Sequence, residues 1–591
     1  MSKLQSIADA VENYNASVEK RVKQVRSDPG EAQKTLDRWN EIVASIPTTK
    51  TPTGVELPRL ALPELDEAGA IERFLGVEGL PGEFPFLASA YKEMYLAPEP
   101  TNDGNGKVEV EEPTRLFAGL GLAEDTNERF HYLTKHQRSA RLSTAFDGPT
   151  LYGLDSDFEG VAGKVGEGGV AVDTVEDMER LYDGFDLSGA GGEVSTSMTI
   201  NGPAPAILAM YIAAAKRRFG DEVVPKLRGT IQADILKEVQ AQNECLFPID
   251  ASLRFLGDMV EWVSGNMPRF YPISISGYHI AEAGATPVQQ AAYTLSNGFA
   301  YVQQFAERGM DVNKFGPRLS FFLDCGLDVE YFALARVCRK IWAIAMRDVF
   351  GADERSQKFK LHTQTSGRSL IAAEFKNNLT RTATEILMAC ANATNSVHSN
   401  SADEPFTTPG EEYVRLAAHA QSILLEESGL FKHMMNTIPG SPGMREIEKA
   451  VEKGIVDELR EMDRLGGVLA AVEQRYQRSQ IQNAAHRLET QIYDGTRPII
   501  GLNRYADETM GDGFGEVVRT PRDKQQQQVD RVRDFKKRHQ GDSGYALSRL
   551  EKVVEEGGNV FEELLSTVEV CTLGQITERL HEVSGVYRPT V

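Results

Sequence analysis

Apolar residues change their period along this chain, and the changes divide it. From the start to about residue 45 they recur at helical spacing, as in "LQSIADAVENYNASVEKRV", which predicts an amphipathic arm for packing or subunit contact. A Pro- and Thr-rich stretch, "IPTTKTPTGVELPRLALPELDEAG", then predicts an extended link. From "GLPGEFPF" onward, short runs with the period-two alternation of strands are separated by long amphipathic segments such as "APAILAMYIAAAKRRFG". Eight such runs can be read: "ARLSTAF", "GGVAVD", "EVSTSMTI", "LRGTIQ", "PISISGYH", "PRLSFFL", "FKLHTQT" and "TNSVHSN". Strands alternating with helices predict parallel pairing, and eight of them point to an α/β fold of the (β/α)8 barrel type. An open doubly wound sheet is the competing arrangement. After about 435 the pattern is almost wholly helical. The division expected is an arm and linker over 1–78, a barrel over 79–435 and a helical region over 436–591.

The alternation carries a second message. Ser143 with Ala145, Ser195 with Ser197 and Thr199, and Ser274 with Ser276 put small, mostly hydroxylated residues on one face of their strands, whereas Ile273 and Ile275 supply bulk on the other. An ordinary barrel fills its centre with branched apolar side chains. Hydroxyl-bearing residues there leave a hollow, polar axis through which a long flexible ligand could thread.

Composition narrows the partners. The 591 residues carry 64 basic and 86 acidic side chains, a formal charge of −22, so a nucleic-acid backbone is a poor match. No run of 18 uncharged apolar residues is present, which argues against a membrane span. Five scattered cysteines without a CxxC pair predict buried thiols in a reducing, cytoplasmic setting, with no disulfide framework or zinc site.

Catalytic residues in such barrels sit at the carboxyl ends of the strands. That rule selects Asp147, Gln232, Tyr278 and His279, Arg318, His362 and Gln364, and His398, Asn400 and Glu404 as groups converging on one rim. HExxH and GxSxG are absent, and the glycines of "VGEGGVAVD" precede their run instead of following one, so metallohydrolase, serine-hydrolase and dinucleotide readings are disfavoured.

Nine blocks in order, "GLPGEFPF", "STAFDGPTLYGLDSD", "VSTSMTING", "GTIQADILKE", "ISISGYHIAEAG", "PRLSFF", "HTQTSGRSL", "VHSNSADE" and "RPIIGLNRY", resemble the methylmalonyl-CoA mutase family of coenzyme-B12-dependent acyl-CoA mutases. The resemblance implies that the pantetheine arm of an acyl-CoA threads the Ser- and Thr-lined axis, with adenosylcobalamin over the carboxyl end. It implies that His279 hydrogen-bonds the migrating thioester carbonyl and that Tyr278 lies against the deoxyadenosyl group and assists homolysis. By the same resemblance Gln232 lies beside the substrate, and Ser197 and Thr199 touch pantetheine. Arg318, Arg115 and Tyr91 match positions near CoA, and Gln364, Asn400 and Glu404 match the deoxyadenosyl contacts. Arg355 and Lys360 are candidate phosphate partners.

The acyl group follows from three positions. Gln242 stands where dicarboxylate-type relatives place an arginine for the substrate carboxylate, and a buried carboxylate without its cation is costly. Phe117 and Ala145 replace the tyrosine of the methylmalonyl type and the aspartate of the hydroxyacyl type. The set resembles isobutyryl-CoA mutase, which interconverts isobutyryl-CoA and n-butyryl-CoA. Alternatives are another branched substrate, pivalyl-, 2-hydroxyisobutyryl- or methylmalonyl-CoA, or a noncatalytic structural subunit. The DxHxxG motif of the family's cobalamin module is absent, which implies a separate small cobalamin-binding subunit and an α2β2 heterotetramer. The resemblance is weakest over the acidic insertion near 96–113, where CoA contacts are expected, and in "NTIPGSPGMREIE".

Overall fold

The computed structural model describes residues 3–95, 116–135, 140–189, 194–438, 440–507 and 519–588. The predicted arm is two helices, Leu4–Ser27 and Pro29–Ser45. Asp28 separates them: its backbone is extended, and its carboxylate accepts the N–H groups of Gly30 and Glu31, an N-cap followed by proline at the first helical position. The linker contains a small antiparallel hairpin, β1 (Thr48–Lys50) with β2 (Glu56–Pro58), and the helix Ala68–Val77.

Among the described residues, nine further strands form two all-parallel sheets. The first runs in the order β3 (Leu116–Ala118), β4 (Ala140–Ala145), β5 (Val194–Thr199), β6 (Gly229–Ile231), β7 (Phe270–Tyr271). The second is β8 (Ile273–Ser276), β9 (Leu319–Cys325), β10 (Leu361–Thr365), β11 (Ser396–His398), with β8 at one edge. Pro272 separates β7 from β8. The pairing carries on past it, because Ser274 N–H donates to the Gln232 carbonyl at 2.9 Å. β7 and β8 are therefore two parts of one course of chain, the predicted "PISISGYH" strand extended backward.

One predicted strand is corrected. Gly168–Asp173, "GGVAVD", belongs to neither sheet; Val170 makes only an isolated parallel bridge to Phe146. Its place is taken by β3, whose three residues are too few to display an alternation in sequence. The remaining strand predictions stand, and the chain after 435 is helical as expected, from Pro442–Arg464 through Leu573–Ser584.

Register explains the two faces. Phe117, Ser143, Ser197, Thr230 and Tyr271 lie side by side across the first sheet; Ser276, Phe322, His362 and Ser396 do so across the second. Alternate residues point to the helices, as strands covered by crossover helices require. Among these, Phe321 stacks on Phe359 at 3.8 Å and meets Trp342 edge-on at 4.7 Å. The main apolar cluster is continuous from Leu4 and Ile7 in the arm through Ile275 and Phe321 to Leu550 and Phe561 near the end.

One buried cation ties the chain before β3 to this helical layer. Arg339, on the helix Leu334–Asp348, donates to the carbonyls of Phe86 at 2.9 Å, Asn392 at 2.7 Å, Leu87 at 2.9 Å and Ala88 at 3.4 Å. Burial and then Arg336 lower its pKa to about 9. Replacing it with methionine strands several buried carbonyls at about 1–3 kcal/mol each. Arg339→Met is therefore expected to lose about 3 kcal/mol or more, read as a lower urea midpoint.

Candidate active site

The axis-facing row borders a solvent-connected cavity of about 180 Å3, lined by Ser197, Thr199, Thr230, Ser274, Ser320 and Ser396 with Phe117, Gln232 and Phe322. A second cavity, about 500 Å3, opens at the carboxyl ends of the strands and is lined by Ala145, Tyr278, His279, Gln364, His398 and Glu404 among others. Phe117, Thr199 and Phe322 line both, so the two spaces adjoin across these side chains. The hydroxyl-rich lining expected from the alternation is present, and it leads to the residues of "SGYH".

Local backbone chemistry delivers those residues. At Gly277 a Cβ would lie 2.3 Å from Thr294 Oγ1 and 2.8 Å from Leu323 Cδ2, so only glycine lets the end of β8 approach the helix Pro287–Glu307 this closely. The short helix Tyr278–Glu282 follows at once. Tyr278 stacks on Phe322 with ring centroids 4.9 Å apart and planes 8° from parallel. Its hydroxyl accepts from Gln364 Nε2 at 3.0 Å; the same nitrogen donates to Asn400 Oδ1 at 2.8 Å, and Asn400 is held by both the carbonyl and the hydroxyl of Thr365. His279 Nδ1 meets Ser276 Oγ at 2.8 Å.

Electrostatics set the protonation states. Enclosure by protein, reinforced by the Lys237 ammonium, pushes His279 well below the ordinary imidazole range, so it is neutral. Burial, with the carboxyls of Glu282, Glu404 and Asp324, pushes the Tyr278 phenol up. Glu404 is reachable by solvent from the open mouth, yet crowding by protein raises its carboxyl to about 7.

The opposite, amino end of the axis is cationic. Lys360 lines it together with Arg141, Tyr91 and Tyr271. Burial and then the neighbouring charges of Arg355, Lys358 and Arg318 lower Lys360 to about 8. Clustered cations that depress one another's proton affinity are a site prepared for an anion.

Other expected residues are placed differently. Asp147 is structural: it accepts from Thr150 N and Gly166 N and lines neither cavity. Arg318 donates to the Val263 and Ser264 carbonyls, beside the cationic end but outside the cavity lining. Gln242 also lies outside both linings, with its Oε1 accepting from Lys237 Nζ at 2.5 Å. His362 lines the axis and is bonded to Ser396 Oγ at 2.7 Å. His398 packs on Phe117 at 4.5 Å. Arg115 and the insertion at 96–113 fall outside the described residues. Sequence reasoning missed Phe322; its place two residues after Ser320 in "LSFFLDC" was the available signal.

Comparison with known proteins follows from this geometry. A model of the family described as methylmalonyl-CoA mutase matches residues 50–586. A fused isobutyryl-CoA mutase of Geobacillus kaustophilus is 44% identical over 577 residues, covering 93% of this chain and 52% of that protein. The 2-hydroxyisobutanoyl-CoA mutase large subunit of Aquincola tertiaricarbonis is 36% identical, with 87% and 88% covered. The methylmalonyl-CoA mutase of Escherichia coli is 35% identical, with 93% and 74% covered. The chain spans about half the length of the fused relatives it matches. These relatives correct the expectation of a separate small subunit in an α2β2 heterotetramer: they are fused proteins about twice as long as the stretch they share with this one, so a missing DxHxxG does not call for a second polypeptide.

The raised Glu404 carboxyl has a consequence for stability. An unfolded glutamate ionises near about 4.3, whereas the folded one holds its proton to about 7. The cost of ionising it inside the fold therefore grows as pH rises between those values, and the stability it confers at low pH is lost above 7. Glu404→Gln is expected to gain stability relative to the parent at pH 8 compared with pH 5, measured by paired urea unfolding curves.

Proposed function

This chain belongs to the methylmalonyl-CoA mutase family, and from that premise we propose that it is the acyl-CoA-binding part of a coenzyme-B12-dependent carbon-skeleton mutase interconverting isobutyryl-CoA and n-butyryl-CoA. The observation that carries the reading is the passage itself: cations at one end, a hydroxyl-lined axis, and His279 with Tyr278 at the other. A CoA thioester has that shape and polarity, with phosphates outside, an amide-bearing pantetheine arm within and the acyl group at the far mouth. On this reading the two sheets close into a (β/α)8 barrel, supported by the Phe117–His398 contact between β3 and β11 and by an axial lining drawn from both sheets. The arm over 1–78 and the helical region over 436–591 brace it from outside.

Each group then has a task. Lys360, with Arg318 and Arg355, faces the phosphates, and Tyr91 borders their entrance. Ser197 and Thr199 bond the pantetheine amides. Gln232 is buried, and its Oε1 has no partner among the described residues; a substrate N–H would satisfy it, which fits an amide-bearing ligand in the axis. Neutral His279 donates to the thioester oxygen and stabilises charge that grows there during migration. Phe117 and Ala145 bound a small apolar acyl group. The names of the fused relatives support the isobutyryl assignment; Gln242, bonded to Lys237 outside both linings, adds no cation to the acyl pocket.

The donor set at the mouth fits the deoxyadenosyl part of the cofactor. Gln364, held from behind by Asn400, and Glu404 offer an amide and a carboxyl suited to ribose hydroxyls, and the Tyr278–Phe322 stack gives a flat wall. Adenosylcobalamin, when bound, supplies the radical chemistry of the rearrangement.

The test is anaerobic incubation of the intact protein and adenosylcobalamin with isobutyryl-, pivalyl-, 2-hydroxyisobutyryl- and methylmalonyl-CoA, the products being identified by mass spectrometry. Formation of n-butyryl-CoA, with methylmalonyl-CoA unchanged, is expected; turnover of methylmalonyl-CoA instead, or silence across the panel, rejects the assignment. His279→Ala is expected to lower kcat about a hundred- to a thousandfold while the protein remains folded by circular dichroism.

A further inference from the structure

A neutral imidazole has one N–H, and which nitrogen carries it decides what His279 can do at the mouth. If the proton is on Nδ1, the ring turns a bare acceptor toward the cavity. If it is on Nε2, the ring turns a donor there. The surroundings of Ser276 distinguish the two.

Ser276 is fully buried. Its backbone N–H donates to Asp234 Oδ2 at 2.7 Å. Asp234 is fixed in turn: the Tyr301 hydroxyl donates to its Oδ1 at 2.6 Å, the Lys237 N–H reaches the same oxygen at 3.2 Å, and its own N–H donates to Asn201 Oδ1 at 3.0 Å. The end of β8 is thus held from behind, and the Ser276 hydroxyl has one partner among the described residues, His279 Nδ1 at 2.8 Å. A buried hydroxyl with a single partner must place its only proton there, because an unsatisfied buried donor costs more than a spare lone pair on an oxygen already bonded. Were Nδ1 to donate instead, the serine proton would have no acceptor.

We infer that Ser276, anchored by Asp234, is a positioning residue that donates to His279 Nδ1 and so fixes the histidine as the Nε2–H tautomer, a hydrogen-bond donor aimed at the mouth cavity. The inference deepens the proposed function and rests on it for its catalytic meaning, since a donor is what a thioester carbonyl requires. Ser276 touches no substrate; it acts through the ring. It also explains how a strand of alternating Ile and Ser prepares a histidine three residues on, since the last serine of the alternation and the first turn of the short helix face each other.

Solid-state NMR of the intact protein labelled with 15N-histidine tests this without reference to turnover, the His279 signals being assigned by difference from His279→Ala. The expected result is a neutral ring protonated at Nε2 in the parent, a population protonated at Nδ1 in Ser276→Ala, and a return to the parent pattern in Ser276→Thr, which keeps a hydroxyl. A parent ring protonated at Nδ1, or a Ser276→Ala spectrum identical to the parent, overturns the inference even if Ser276→Ala proves unstable, because the parent measurement stands alone. With isobutyryl-CoA, Ser276→Ala is expected to lower kcat about tenfold or more with KM little changed, and Ser276→Thr to restore it. Full activity in Ser276→Ala overturns the positioning role while leaving the mutase reading intact. An inactive parent whose tautomer responds as described supports the inference and rejects the mutase reading.

Discussion

Two parallel sheets whose inner faces carry serine and threonine have no apolar core between those faces, and the rest of this structure answers to that constraint. Filling the axis with Val, Ile and Leu would supply apolar burial there and close the passage. Here the alternate residues do the packing instead. Ile273, Ile275 and Phe321 face outward into the helices, and the apolar cluster extends through the N-terminal arm and the C-terminal helices. A hollow axis and an unusually extensive outer layer are two sides of one arrangement, since the burial missing inside is found outside.

The same constraint shapes the electrostatics. Opening the axis leaves polar groups lining a narrow space walled by protein, in which charge is expensive. At the amino end, cations crowd until Lys360 holds its proton only to about 8. At the carboxyl end, His279 is kept neutral and Tyr278 is kept protonated, so neutral donors and acceptors predominate around the stack on Phe322. Such a gradient, from cationic to neutral along one passage, orients a ligand that is anionic at one end and uncharged at the other. The Lys237 ammonium, buried in an ion pair with Glu238, adds to the lowering of His279.

Much of this was legible before the fold was known. The period-two runs gave seven of the eight predicted strands, and the position of Tyr278 and His279 at a strand end marked the mouth. The eighth strand was misassigned because Leu116–Ala118 is too short to alternate, whereas Gly168–Asp173 has strand-like composition but lies beside the end of β4 as a single bridge. Asp147 looked like a rim acid and is an N-cap. That distinction was invisible in sequence because its second partner, Gly166, is nineteen residues away. Gln242 was expected beside the acyl group and lies outside both cavity linings; its contact with Lys237 depends on a turn of π-helix over Glu238–Gln242 that no periodicity announces.

What the sequence by itself determined is which side chains share a face, because the two-residue period of a strand and the turn of a helix are local properties of the backbone. It determined the hydroxyl lining, the apolar outer surface, the glycine before Tyr278 and the family. What only the tertiary structure decided is which of those faces meet: that the axial space and the mouth adjoin across Phe117, Thr199 and Phe322, that Gln364 and Asn400 bracket Tyr278, and that Asp234 reaches across from β6 to hold Ser276 against His279. The reason is physical. Burial and hydrogen-bond satisfaction between residues 36 or 42 positions apart are settled by the packing of whole elements, and no local pattern in the chain encodes that separation.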